Sequence, residues 1–204
     1  MGQSSISEVF DPAVAEHQVV INLLSAQRPP LEQIAEAMAA AITTGNNIVR
    51  CGNGGCAADA QHLAAGLVGR FRRERRALPS IALTTDTSML TAIGNDCGYE
   101  HTSRRQVEAL CVVGDVVVGI STSGNGRNVY VELESARNLG ALTNAFTGEG
   151  GGTASEIAAL TLRIPSQETP RIQEAHILCG RIWCDWIERC VCEHDSAQHA
   201  LKSQ

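Results

Sequence analysis

Two short stretches of this chain concentrate groups able to hold a ligand, Cys51-Gly52-Asn53-Gly54-Gly55-Cys56 and Ser121-Thr122-Ser123-Gly124-Asn125-Gly126. Glycines let a backbone approach a ligand closely, and free amides at a helix start favour an anion. The second stretch adds the hydroxyls of Ser121, Thr122 and Ser123, which hydrogen-bond phosphate oxygens without needing a basic residue. Neither stretch carries a Walker A pattern or a GxGxxG fingerprint, so a nucleotide is not specifically indicated. A single glycine-rich turn reads equally well as a plain tight turn. Two of them at strand ends point to a phosphoryl ligand.

The elements that must position these loops follow from periodicity. Residues 7–43 predict two helices, roughly Ser7–Ser25 and Leu31–Thr43, broken between them by Pro29-Pro30. Ile48–Cys51 predicts a strand, followed by a helix over Ala57–Arg70. Ser80–Leu83 is a second strand, and helical pattern returns over Thr87–Ile93 and Gln106–Cys111. Asp115–Ile120 is an apolar, β-branched run suited to a strand buried on both faces. A helix over Asn128–Leu139, strands over Leu142–Phe146 and Leu160–Ile164 and a final helix over Arg171–Cys190 complete the pattern. This alternation predicts an α/β fold with a doubly wound parallel sheet in three layers, one domain in all. Its parts are N-terminal helices at 7–43, a core at 46–190 and a frayed tail at 191–204. Such sheets bind ligands beyond the carboxyl ends of their strands, where both glycine-rich loops fall.

Composition narrows the function classes. The chain has 204 residues, of which 44% are hydrophobic, enough for a sizeable core, and the formal charge of −6 argues against direct nucleic-acid binding. Arg70-Phe71-Arg72-Arg73-Glu74-Arg75-Arg76 is the local exception; it reads as a solvated helix end or subunit contact, with a polyanion contact as the alternative. Met1–Ser5 shows no secretory pattern, although Gly2 fits a weak myristoylation match, and no apolar run spans a bilayer. A cytoplasmic protein without membrane association is expected. Disulfides among its eight cysteines are then disfavoured, and Cys190, Cys192, His194 and His199 read as tail residues rather than a metal site.

Several separate motifs resemble the SIS (sugar isomerase) family, and within it the phosphoheptose isomerase group. They are the loop Cys51–Cys56, Ala57-Ala58-Asp59-Ala60-Gln61-His62, Leu83-Thr84-Thr85-Asp86-Thr87 with Leu90–Asp96, Ser121–Asn125, and Arg171-Ile172-Gln173-Glu174-Ala175-His176-Ile177. The resemblance spans roughly residues 10–190. It implies a five-stranded parallel sheet, a homotetramer with sites between subunits, and a ligand like sedoheptulose 7-phosphate, isomerised for surface polysaccharide. Asn53, Gly54, Gly55, Cys56, Asn95, Asp96 and Gln173 would contact substrate, and Ser121, Thr122 and Ser123 would hold the phosphate. His62 and Gln173 fall where the family has part of a metal and substrate site, so zinc is conceivable, although no cofactor is expected.

The chain departs from the family pattern at the catalytic positions. The Glu that should follow His62 by four residues, on one helix face, is Gly66; the His expected eight residues after Gln173 is Arg181. Neither can act as a base, and a guanidinium cannot ligate zinc. Cys56 and Gly126 replace two family serines. Glu174, His176 and His101 are neighbouring substitutes, none at the required helical position. Sugar-phosphate binding with doubtful isomerase activity is therefore the leading expectation. An active isomerase is the alternative. A third resembles the initiator-associating branch, which lacks the same pair and binds DnaA; the partner would then be such an initiator or an active paralogue.

Overall fold

In a computed structural model that describes residues 5–202, the β-branched run Val116–Ile120 forms β3, buried along its whole length. It pairs in parallel with β1 (Ile48–Gly52) and β4 (Leu142–Thr147), and β2 (Ser80–Ala82) and β5 (Leu160–Arg163) form the edges. All five strands are parallel, in the order β2-β1-β3-β4-β5, so the order reverses between β1 and β3. The first ligand loop follows β1 and the second follows β3. They flank the topological switch point, where an open parallel sheet leaves a crevice. The myristoylation pattern at the extreme N-terminus lies outside the described residues.

Helices cover both faces. One face packs α2 (Arg28–Thr43), α3 (Gly55–Val68) and α8 (Thr169–Lys202) through Ile34, Met38, Leu63, Leu67, Trp183 and Ile187. The other packs α5 (Thr102–Leu110), α6 (Arg127–Asn138) and α7 (Gly152–Ile157) through Val107, Val129, Leu133 and Ala154. Two further helices, α1 (Ser7–Leu23) and α4 (Thr87–Asp96), complete the chain. The Trp183 and Phe146 rings meet with centroids 4.3 Å apart, anchoring α8 to β4.

Three expectations change. Pro29 and Pro30 do not separate two helices; they open α2 at its first positions, where a missing N–H costs nothing and the fixed φ suits the helix. The segment after residue 190 is not a frayed tail, because α8 runs on to Lys202 and buries Val191 completely. The arginine run is not a loose solvated helix end: Arg70, Arg72 and Arg76 keep exposed side chains, but the segment is anchored and its guanidinium groups are paired with carboxylates. The buried Glu188 carboxylate accepts the backbone amides of Phe71, Arg72 and Arg73 at 2.7, 2.8 and 3.0 Å, and Arg75 reaches it at 2.9 Å. Burial pushes the Glu188 carboxyl up, but these donors outweigh it and hold the group below its ordinary value. Arg73 pairs with Asp185, and Arg76 with Asp195 at 3.1 Å, so the run ties the end of α3 to α8.

Among the described residues, no helix is long and apolar enough to cross a membrane.

Candidate functional site

The first loop turns sharply at Gly54, whose φ of +52° suits glycine, and α3 begins immediately at Gly55. A Cβ at Gly55 would collide with the Gln173 side chain, so the loop's end is pressed against the start of α8. The Cys56 thiol lies beneath, 3.6 Å from Gln173 Nε2 and facing the Thr122 backbone amide. Burial pushes that thiol's pKa up, so Cys56 is a neutral packing group rather than a nucleophile. Three sequence-distant pieces, 53–56, 121–126 and Gln173, therefore converge at one point.

The second loop is held by close backbone contacts. A Cβ at Gly124 would collide with the Gly151 carbonyl, and Gly148 N donates to Thr122 O at 2.8 Å. Ser121 is nearly buried, while Thr122 and Ser123 face a cleft they share with Gly148, Glu149 and Ser166. The loop leads into α6, whose N-cap Gly126 offers no side-chain cap, its carbonyl accepting from Val129 N at 3.0 Å and Tyr130 N at 3.1 Å. Hydroxyls and backbone amides gathered at one strand end are groups chemically suited to an anion.

Asn53 is braced rather than free. It exchanges hydrogen bonds with Asn128 of α6, Nδ2 donating at 2.8 Å and Oδ1 accepting at 2.9 Å, and Oδ1 also accepts the Tyr99 hydroxyl at 2.7 Å. Asn128 and Tyr99 thus line the site, although the sequence singles out neither. Asn95 and Asp96 lie on the exposed end of α4, bonded to each other at 2.7 Å.

Along α3, residues 55, 59, 62 and 66 share one stripe by their i, i+4, i+7, i+11 spacing. Gly55 touches Gln173 at one end, and near the other His62 Nε2 stands 3.3 Å from Arg181 Nη2. Between them sits Asp59, half-buried, with one carboxylate oxygen enclosed and unpartnered. Burial alone pushes its pKa up to about 6. A carboxylate of that pKa cannot be recognised from the sequence, because the burial that raises it exists only in the folded chain.

The other substitutes named from sequence lie elsewhere. His176 is buried in the core, its Nε2 3.2 Å from Thr147 O, and burial lowers its pKa to about 4. Glu174 is engaged by Arg171 at 2.6 Å and His17 at 2.8 Å. His101 belongs to a short 3-10 turn, Tyr99–His101, before α5.

A zinc ion needs about four N, O or S ligands. The His62 Nε2 faces a guanidinium, which only donates and repels a cation, and Gly66 supplies nothing. Among the described residues no three His, Cys, Asp or Glu side chains gather to hold a metal. This donor set does not fit zinc.

The SIS domain profile matches residues 15–148, and the chain belongs to the SIS domain family. Among its relatives in that family are phosphoheptose isomerases. The one from Aquifex aeolicus is 54% identical over 188 residues, covering 92% of this chain and 97% of its own. That from Aliarcobacter butzleri is 48% identical over 182 residues, covering 89% and 96%. The phosphoheptose isomerase structure from Francisella tularensis superposes with a TM-score of 0.87 at 33% identity, covering 92% of this chain and 100% of its own. The Neisseria gonorrhoeae structure gives 0.80 at 40% identity, covering 90% and 97%.

Proposed function

We propose that this protein binds an open-chain sugar phosphate of the heptose phosphate class and interconverts its ketose and aldose forms. The observation that carries this reading is the convergence of the cradle at Ser121–Gly126, the braced Asn53 and Gln173 at one switch point. The names of relatives near 50% identity supply the substrate class. In the reaction a base takes the proton from the carbon beside the carbonyl, and the electron pair forms an enediolate. A proton returned to the former carbonyl carbon, together with one passed from the neighbouring hydroxyl to the former carbonyl oxygen, completes the isomerisation with no net change of oxidation state. Asp59 is the carboxylate suited to this transfer, since a base works best with a pKa near the working pH. His62, on the same stripe, is placed to serve the oxygens.

A second reading, binding without turnover, is favoured by Gly66 and by the Arg181–His62 contact. Proton NMR with sedoheptulose 7-phosphate separates the two. Appearance of aldose signals supports isomerisation. Absence of turnover with a rise in melting temperature supports binding alone, and neither response sinks both readings. Under the second reading Gly66→Glu with Arg181→His restores the family pair; a Cβ at Gly66 would meet only Cys184 Sγ at 3.6 Å and Phe71 at 3.8 Å, so the scaffold admits it.

The family resemblance also supports a cytoplasmic homotetramer. Exposed Ile182 and Trp186 on α8, with Val9 and Phe10 on α1, are apolar surface of the kind subunits cover.

A further inference from the structure

Arg181 differs from most cations of this molecule in what surrounds it. Arginines 28, 70, 72, 73, 75, 76, 104, 105 and 171 each pair with a carboxylate. Arg181 is in none of these ion pairs; its hydrogen-bonding partner is a neutral-capable ring, His62 Nε2 at 3.3 Å. The guanidinium cannot accept, so a bond between them requires the His62 Nε2 lone pair and leaves the imidazole hydrogen on Nδ1. Arg181 is exposed, so its fork keeps donors for a further partner, and on α3 the stripe that carries His62 continues to Gly66, which has no side chain.

The position is fixed by packing. A Cβ at Gly180 would lie only 2.5 Å from a Leu63 methyl, so α3 and α8 touch backbone to side chain one residue before Arg181. The two helices run side by side in the same direction, with Gly55 against Gln173 at one end and His62 against Arg181 further on. Seven residues of helix separate these contacts, roughly 10 Å at 1.5 Å per residue. That is of the order of an extended phosphorylated sugar. A ligand with its phosphate in the Ser121–Gly126 cradle can therefore present its far end to Arg181, passing Asp59.

We propose that Arg181, set against His62 beside the bare Gly66, is a second oxyanion subsite that takes the carbonyl-end oxygens of the ligand and favours them as an enediolate or a carboxylate, without a metal ion. The proposal rests on the sugar-phosphate reading of the pocket. A planar fork binds two coplanar oxygens in a bidentate manner, and both a carboxylate and a cis-enediolate offer them. A fixed cation where negative charge develops is also what an isomerisation through an enediolate needs.

Titration calorimetry on the full chain in its native oligomer tests this, in chelator-treated buffer, with 6-phosphogluconate, glucose 6-phosphate and sedoheptulose 7-phosphate. The first two share a carbon count and a phosphate and differ at the first carbon. The acid should bind about tenfold more tightly or better, with added zinc changing neither affinity. Arg181→Ala and Arg181→Gln should bring the two within about threefold, while Arg181→Lys keeps part of the preference. Arg181 is exposed, and unchanged circular dichroism confirms that the variants fold. Equal affinities for the wild type, a preference that survives Arg181→Ala, or one that appears only with zinc overturns the subsite alone. Failure of all three ligands to bind overturns the sugar-phosphate reading, and the subsite with it.

Discussion

Glu132 shows what a single residue can do to this fold without touching the ligand. It lies on α6 one turn after Asn128, fully buried, with both carboxylate oxygens lacking a hydrogen-bond partner. The Cys51 thiol and Ser103 hydroxyl are the polar groups that face it, and burial pushes its pKa from about 4.5 up to about 8. Between those values the folded chain holds a proton that the unfolded chain has lost. Stability therefore falls as pH rises through that window and levels off above about 8. The slope is at most about 1.4 kcal/mol per pH unit. Glu132→Gln should flatten it, as urea midpoints between pH 5 and 9 would reveal; an unchanged slope would show that Glu132 is ionised at neutral pH. Asp59 makes the opposite kind of prediction. Its base form prevails above about pH 6, so turnover should rise through that pH. Asp59→Asn should lower kcat by roughly 10² to 10⁴ if it moves the proton. A kcat unchanged by the substitution assigns the proton transfer elsewhere.

At the scale of elements, the packing of α3 on α8 brings His62 and Arg181 together. Gly180 permits that contact, because any larger residue would meet Leu63. Gly180→Val should cost about 1–3 kcal/mol by overpacking and also move Arg181 from His62. Ligand affinity should fall with stability, and a stable variant with intact affinity would contradict this. Glu188 secures the other end of the pair. It is buried with Arg75 and three backbone amides, so Glu188→Ala strands a buried cation and should cost roughly 3–5 kcal/mol in chemical denaturation. A cost under 1 kcal/mol would mean that the arginine segment rearranges freely.

For the whole molecule, the site draws on β1, β3, α3, α6 and α8, so ligand binding should stabilise the fold cooperatively. A sugar phosphate at 100 times its Kd adds about 2.7 kcal/mol. For a chain of this length that raises Tm by roughly 5–10 °C. Ser123→Ala should reduce the shift without lowering the ligand-free Tm, because Ser123 is exposed at the cleft. A full shift in that variant would leave the cradle reading with the backbone amides alone.

Much of the architecture is legible in the residues because it is local. The β-branched run at Val116–Ile120 can only be a buried strand, and glycine at 54 marks a turn that other residues would strain. The loops and their anion-suited donor groups follow from residue type and from their place after a strand. The separating role expected of Pro29-Pro30 fails because a helix-breaking residue is also a helix-starting one, and only context decides. The end of α8 is misread because its support comes from distant residues such as the arginine segment. The same holds at the site. His62, Gln173 and the substitutions at 66 and 181 are visible in one dimension, but their meaning depends on which groups meet. That Arg181 faces His62, that Asp59 loses its solvent and that Asn53 is braced by Asn128 are consequences of helix packing across more than seventy residues of chain. Sequence determined the two loops and the donor groups they carry, since those depend on backbone freedom and hydroxyl groups within six residues. Only the tertiary structure decided the charge and protonation of the pocket's far end, because desolvation and long-range contact exist only once the chain has folded.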